Sequence, residues 1–76
     1  MIITVKLTGL LAGAAGFKEK TMEIPEGTSA GGVFSRLALP VNLQWTRISI
    51  NSKIAAKTQE LQDQDTILFF PAGGGG

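Results

Sequence analysis

The 76-residue chain contains no cysteine and no histidine. The lack of cysteine excludes disulfide bonds and thiolate chemistry, and the lack of histidine removes the commonest general base and metal ligand. The six acidic residues are scattered along the sequence rather than grouped as a ligand set. The sequence therefore predicts no metal site, no cofactor bound by the chain itself, and no catalytic apparatus that the chain could operate alone.

A large excess of one charge and a long apolar run are also lacking. Seven basic and six acidic residues give a formal net charge of +1. This balance argues against a nucleic-acid surface, which needs a basic stripe with stacking aromatic residues. No apolar run reaches the roughly 18 residues that span a membrane. We therefore expect no nucleic acid and no membrane among the partners, and a cytoplasmic location.

Residues 7–17 (LTGLLAGAAGF) come nearest to a targeting segment. They are similar to a short signal-peptide core, with Lys6 ahead of them and the small residues 12–14 as a cleavage pattern. A single lysine is a thin basic region, however, and cleavage would remove a strand from an already small domain. We therefore favour a segment that stays within the fold.

Alternation and turn signals predict the order strand, strand, helix, strand, strand, strand. The predicted strands are 2–8, 19–24, 47–50, 53–56 and 66–70. The first two form a hairpin with a long loop, because Gly9, Gly13 and Gly16 interrupt the pattern. The order predicts an α+β domain in which one main helix covers one face of a mixed sheet of four to five strands. The other face is left to solvent.

The predicted helix follows the turn Pro25-Glu26-Gly27. Thr28 or Ser29 can cap its first turn, and apolar residues then recur with helical spacing. Leu39-Pro40 should end it, because a proline disfavours helical geometry in the residue before it.

The last predicted strand is apolar on both faces, which is typical of a strand at the centre of a sheet. Alternation places Ile67 and Phe69 on one face and Leu68 and Phe70 on the other. Since one helix covers only one face, we expect Leu68 and Phe70 to form an exposed apolar patch that binds partners. Burial of the pair under a loop is the alternative.

Four other residues have structural interpretations. Trp45 is expected to pack in the core or at a sheet edge rather than to anchor a partner. Asp63 and Asp65 are expected to hydrogen-bond the backbone before the last strand, since two carboxylates without a third ligand make a poor cation site. Asn51 is expected to form a turn with the residue after it.

The C-terminal part of the chain resembles the ubiquitin-like sulfur carriers. The resemblance rests on the pattern L-x-D-x-D-x-I-x-F-F-P in residues 61–71, on Asn51 after ISI, and on a glycine end six residues beyond Phe70. It is nearest to the small subunit of molybdopterin synthase (MoaD), and the thiamine carrier (ThiS) is a relative. The sequence departs from the pattern at Gln64, where glycine is usual, and at residues 72–74, where MoaD tails carry Pro-Val-x. The molybdopterin and thiamine pathways both stay open.

The resemblance implies a β-grasp fold in residues 1–71, followed by a flexible glycine-rich tail in residues 72–76. It also implies a reaction at the carboxylate of Gly76. An adenylating enzyme of the ubiquitin-activating type would activate this carboxylate with ATP and magnesium, and a sulfur donor protein would displace AMP to leave a thiocarboxylate. The large subunit of molybdopterin synthase would then use the sulfur, so the chain would be a small synthase subunit without catalytic groups of its own.

The glycine tail suits this chemistry. Six extended residues reach roughly 20 Å, and glycines let the walls of a narrow tunnel approach the backbone. Gly73, Gly74 and Gly75 are therefore assigned to threading, and Leu68, Phe70 and Pro71 to partner binding. Two alternatives stay open: a protein modifier that is joined to lysines through the same carboxylate, and an interaction module with an inert tail. Neither the partners nor the oligomeric state can be identified from the sequence.

Overall fold

The computed structural model describes residues 1–72, which form a five-stranded sheet with helices on one face. The elements in chain order are β1 (Ile2–Leu7), α1 (Gly9–Ala15), β2 (Glu19–Glu23), α2 (Ala30–Leu37), a 3₁₀ helix (Leu43–Trp45), β3 (Thr46–Ile50), β4 (Lys53–Ala55) and β5 (Thr66–Pro71). The strand order is β2-β1-β5-β3-β4, with β1 parallel to β5 and every other pair antiparallel. The predicted α+β class and mixed sheet are confirmed.

The core lies between the helices and the two central strands. Val5 is paired with Ile67 and Leu7 with Phe69, so these side chains point to the same face of the sheet. The ring of Phe34 on α2 meets the ring of Phe69 edge-on, with centroids 5.3 Å apart. The buried apolar residues are Ile3, Val5, Leu7, Leu11, Ile24, Ala30, Val33, Phe34, Ile48, Leu61, Ile67 and Phe69. The alternation predicted for the first and last strands is therefore confirmed.

The segment between β1 and β2 was predicted to be a loop, and this prediction was wrong because it forms α1. Two of its glycines lie at the helix ends with left-handed backbone, Gly9 at φ +56° and Gly16 at φ +83°. Only Gly13 lies in the interior, among residues of good helix propensity. Leu11 is buried in the core and holds the helix against the sheet. A second helix therefore accompanies the one that was predicted.

α2 begins where the sequence predicted and ends slightly earlier. Ser29 is its N-cap, and the hydroxyl oxygen accepts a hydrogen bond from the N–H of Gly32 at 3.1 Å. The helix ends at Leu37 rather than at Leu39-Pro40, because Ala38 adopts a left-handed conformation with φ +52°. Within the described residues no helix is long and apolar enough to cross a membrane.

Two polar clusters join the ends of the strands. Asn51 lies in a left-handed turn between β3 and β4 (φ +51°), and its amide nitrogen donates to Asp65 Oδ1 at 2.8 Å. The amide oxygen of Asn51 accepts a hydrogen bond from the N–H of Thr66 at 3.0 Å. The carboxylate of Asp65 also accepts a hydrogen bond from the N–H of Gln62 at 2.8 Å. The turn role predicted for Asn51 and the backbone hydrogen bond predicted for Asp65 are therefore confirmed.

Asp63 ties the start of β1 to the segment before β5. Its carboxylate accepts a hydrogen bond from the N–H of Ile2 at 2.7 Å. This bond, followed by one from the side chain of Gln64, lowers the pKa of the Asp63 carboxyl below its ordinary value. Because the pKa is lowered in the folded state, the stabilisation is present above about pH 4 and is lost as the pH falls through the folded pKa.

Candidate functional site

β5 is the last strand before the predicted reaction centre. This strand lies between β1 and β3 and ends at Pro71, beside Thr46 at the start of β3. The N–H of Ala72 donates to the carbonyl oxygen of Trp45 at 2.7 Å, so the chain stays bound to its neighbour for one residue beyond the strand. The predicted threading and reaction residues, Gly73 to Gly76, lie outside the described residues.

Leu68 and Phe70 lie on the face of the sheet opposite the helices, as alternation predicts. Both side chains are half-buried, whereas Ile67 and Phe69 are fully buried. The register places Lys6 and Ser49 beside Leu68. The two apolar side chains therefore lie on a sheet face that also carries polar groups, and their role in binding a partner stays a prediction.

A shallow groove of about 320 Å³ lies near the end of β5. Its lining includes Arg47, which is paired with Phe70, together with Ile54, Lys57 and Ala72. Among residues 1–72, the lining contains two cationic side chains and no acidic one. The sequence analysis missed this groove, because only the pairing of β3 with β4 and β5 brings these residues together.

Trp45 is exposed, and its predicted packing in the core or at a sheet edge was therefore wrong. The side chain is 69% exposed at the end of the 3₁₀ helix. In this helix Leu43 packs against the core while Trp45, two residues later, points outward. The turn is fixed by Asn42, whose side-chain oxygen accepts from the N–H of Gln44 at 2.9 Å. The sequence pattern of the neighbouring strand β3 does not predict this turn.

Two features of residues 1–72 bear on the binding of metals and ligands. No group of three or more potential ligands that could hold a metal ion occurs in residues 1–72. All buried side-chain polar atoms there have a hydrogen-bond partner, so no unpaired polar group is directed into a cavity. What the described residues provide is a strand end at Ala72 that is hydrogen-bonded to Trp45.

Comparison with known protein families gives a match over residues 5–76, which includes the second half of β1 and the glycine tail. The matching model is that of the ThiS family. The chain belongs to the ThiS family. A search of curated proteins finds no match.

Three solved structures illustrate the fold that this ThiS-family chain shares. Small archaeal modifier protein 1 from Haloferax volcanii has 19% identity and a TM-score of 0.80, over 93% of this chain and 97% of that one. The putative molybdopterin converting factor subunit 1 from Pyrococcus furiosus has 19% identity and a TM-score of 0.78, over 95% and 98%.

The third structure is a protein–protein complex of subunits 1 and 2 of the molybdopterin-converting factor from Helicobacter pylori. The matched chain has 18% identity and a TM-score of 0.69, with full coverage of both chains. At such low identities these likenesses show the fold alone. They confirm the ubiquitin-like β-grasp architecture predicted from the sequence.

Proposed function

We propose that this ThiS-family chain is a sulfur carrier for molybdopterin biosynthesis, with the carboxylate of Gly76 as its reactive group. The observation that carries the sulfur-carrier part of the proposal is the extent of the family match, which runs through the glycine tail to residue 76. The choice of molybdopterin is supported by the fold shared with two molybdopterin converting factor subunits. The fold supports it, because the central strand β5 leads directly towards that tail. In this proposal the described residues position the tail, and the chemistry takes place at the carboxylate of Gly76.

The proposed reaction has two steps, and both need a partner. A carboxylate is a poor electrophile because its charge is delocalised, so one of its oxygens first attacks the α-phosphorus of ATP and pyrophosphate leaves. Magnesium on the nucleotide neutralises the phosphate charge. A sulfide nucleophile then adds to the carbonyl carbon, and AMP leaves with the former carboxylate oxygen. The product is a thiocarboxylate on Gly76.

The proposed partners are an adenylating enzyme, a sulfur donor protein and the large subunit of a molybdopterin synthase. We assign their docking to Leu68, Phe70 and Pro71, which precede the tail on the central strand. The shared fold with subunit 1 of the Helicobacter pylori complex supports a partner of the synthase type. In that arrangement Gly73, Gly74 and Gly75 pass through the partner and bring Gly76 to the reacting groups.

Two rival functions use the same activated carboxylate. A thiamine-type carrier is favoured by the family model, which is that of ThiS. A protein modifier is favoured by the fold shared with the small archaeal modifier protein from Haloferax volcanii. The three functions differ in the group that finally attacks the carbonyl or receives the sulfur, so their products distinguish them.

The intact mass of the chain tests the proposal. The purified chain is incubated with candidate adenylating enzymes, ATP, magnesium and sodium sulfide, and is then analysed by mass spectrometry. We expect the mass to increase by the difference between a sulfur and an oxygen atom. The deletion of Gly76 withdraws the carboxylate by about 3.5 Å, and the double variant Gly75→Ala/Gly76→Ala crowds the reacting carbon, so both should gain little or nothing.

Four other outcomes have definite meanings. Conversion of the truncated chain as efficiently as the intact one would contradict a reaction at Gly76. Failure of the intact chain with every adenylating enzyme would favour an inert tail. Lysine-linked conjugates in place of a thiocarboxylate would favour the modifier, and transfer of the sulfur to a thiazole precursor rather than a pterin would favour the thiamine-type carrier.

A further inference from the structure

Two of the most exposed large apolar side chains in the described chain lie beside the residue from which the tail departs. Leu10 is 83% exposed and Trp45 is 69% exposed. Isolated exposed apolar residues are normal on protein surfaces, so exposure alone carries no conclusion. Ile54 is 68% exposed and lies in the groove that Ala72 also lines. What distinguishes Leu10 and Trp45, which we call the exit pair, is that Trp45 is hydrogen-bonded to Ala72 and Leu10 follows Gly9, which lies beside Pro71.

The strand pairing fixes one side of the exit. Thr46 is the partner of Pro71 in the antiparallel pair of β3 and β5, so Trp45 falls opposite Ala72. The hydrogen bond from the N–H of Ala72 to the carbonyl oxygen of Trp45, at 2.7 Å, holds the two residues together. The exposed indole ring therefore belongs to the residue that is hydrogen-bonded to Ala72, the last described residue.

The parallel pair of β1 and β5 fixes the other side. Leu7, the last residue of β1, is the partner of Phe69. Gly9, the first residue of α1, lies beside Pro71 at the end of β5. A Cβ built on Gly9 would lie 3.8 Å from Cγ of the Pro71 ring. Leu10 is the next residue after this contact. The two members of the exit pair therefore come from opposite flanks of β5.

The outward face of α1 extends the apolar surface beside Leu10. Leu10, Gly13 and Ala14 are exposed at the helical spacing i, i+3, i+4, and the helix contains no charged residue. A surface helix ordinarily carries polar side chains on the face that meets water. The exposed face of α1 instead carries Leu10 and small residues without charge, and contiguous exposed apolar surface on a small domain marks an interaction site.

We propose that the exit pair and the outward face of α1 form a docking surface for the adenylating enzyme that activates Gly76. This inference rests on the proposed function. The four residues beyond Ala72 reach about 14 Å when fully extended, so the enzyme's catalytic centre must come within that distance of Ala72. A folded enzyme cannot approach so closely without covering both flanks of β5, and Leu10 and Trp45 lie on those flanks.

This surface is separate from the patch formed by Leu68 and Phe70. Those two side chains lie on the open face of the sheet, whereas the exit pair surrounds its end. Contact at the sheet face can orient the carrier. Contact at the exit pair closes the entrance of the enzyme's active site around the tail and excludes water from the acyl-adenylate.

The single tryptophan provides a direct measure of binding. The chain has one tryptophan and no tyrosine, so 5-fluorotryptophan introduces one ¹⁹F signal at position 45. In the free chain this signal should shift between H₂O and D₂O, because the indole is exposed. We expect the solvent shift to disappear when the unlabelled adenylating enzyme is added. A shift that persists once complex formation has been verified by co-elution would overturn the inference.

Kinetics with matched variants provide the second measure. Trp45→Ala and Leu10→Ser should each lower kcat/KM for thiocarboxylate formation by about 10- to 30-fold, chiefly through KM, as loss of a buried apolar anchor does. Trp45→Phe should restore most of the rate. Ile2→Ala is the control: this side chain is 38% exposed and lies at the opposite end of β1, so its truncation should leave kcat/KM unchanged within about twofold.

The outcomes separate the two levels of proposal. If the intact chain is converted and the exit-pair variants react as fast as the Ile2 control, the docking surface is wrong and the carrier function stands. If no adenylating enzyme converts the intact chain, the carrier function fails and the docking surface fails with it. If the ¹⁹F solvent shift is lost only with the sulfur-accepting subunit, the surface serves that partner and the inference as stated is overturned.

Discussion

At the scale of single residues, Gln64 explains why glycine is usual at its position in the carrier pattern. Its backbone is left-handed with φ +71°, a conformation that a side chain other than glycine adopts with strain. The residue stands between Asp63 and Asp65, and its own N–H donates to the carbonyl oxygen of Ile2 at 2.7 Å. The turn is thus fixed by neighbouring hydrogen bonds, and Gln64 tolerates the strain that they impose.

Gln64→Gly should therefore stabilise the protein. Relief of the left-handed strain, partly offset by the greater freedom of glycine in the unfolded chain, should raise the free energy of unfolding by about 0.5–1 kcal/mol. Gln62→Gly is the matched control. Because Gln62 is not among the residues with positive φ, this substitution should lower the free energy of unfolding. Urea unfolding of both variants provides the measurement. Equal destabilisation by the two substitutions would contradict the interpretation.

At the scale of elements, β5 presents two adjacent phenylalanines in opposite environments. Phe69 is fully buried and packs against Phe34, whereas Phe70 is half-buried on the open face beside Arg47. Neighbouring positions on one strand thus separate stability from binding, because alternation sends their side chains to different faces.

Phe69→Ala should reduce the free energy of unfolding by about 3–5 kcal/mol, the usual loss for a buried phenylalanine. Phe70→Ala should reduce it much less and should instead weaken the complex with the adenylating enzyme by about 30-fold. Chemical denaturation and calorimetric titration measure the two effects. If Phe70→Ala lost as much stability as Phe69→Ala, the residue would belong to the core, and its assignment to partner binding would be withdrawn.

The elements that could be predicted from the sequence are those whose pattern is local. Alternation was sufficient for β1, the apolar character of both faces predicted the central position of β5, and the cap at Ser29 located the start of α2. α1 was missed because glycines that mark helix ends were interpreted as breaks throughout a loop. The outward turn of Trp45 was missed because it follows from a 3₁₀ helix that has no repeating pattern. The groove and the exit pair depend on strand register, which the sequence does not contain.

At the scale of the whole molecule, every buried core residue lies between Ile3 and Phe69, within the part of the chain that the structure describes. Among the described residues, Ala72 makes the last main-chain hydrogen bond at the end of β5, and its acceptor is the carbonyl oxygen of Trp45. The fold and the tail should therefore be thermodynamically separable.

A chain that stops after Ala72 should keep the stability of the full sequence, with a free energy of unfolding unchanged within about 0.5 kcal/mol. A chain that stops after Phe69 should be clearly less stable, because it loses half-buried Phe70 and the Ala72–Trp45 hydrogen bond. Thermal unfolding of the three lengths makes the comparison. A marked loss of stability in the longer truncation would mean that residues 73–76 contribute to the folded state.

The parallel pairing of β1 and β5 also determines how the protein bears mechanical load. The pair runs from Thr4 and Thr66 to Leu7 and Phe69, and β3 flanks β5 on its other side. An enzyme that draws the tail along the strand axis pulls β5 lengthwise against both neighbours, with the hydrogen bonds lying across the direction of the force. All of these hydrogen bonds then bear the shear force at the same time, and they are not broken one after another. We therefore expect a force applied beyond Ala72 to leave the folded part of the chain intact.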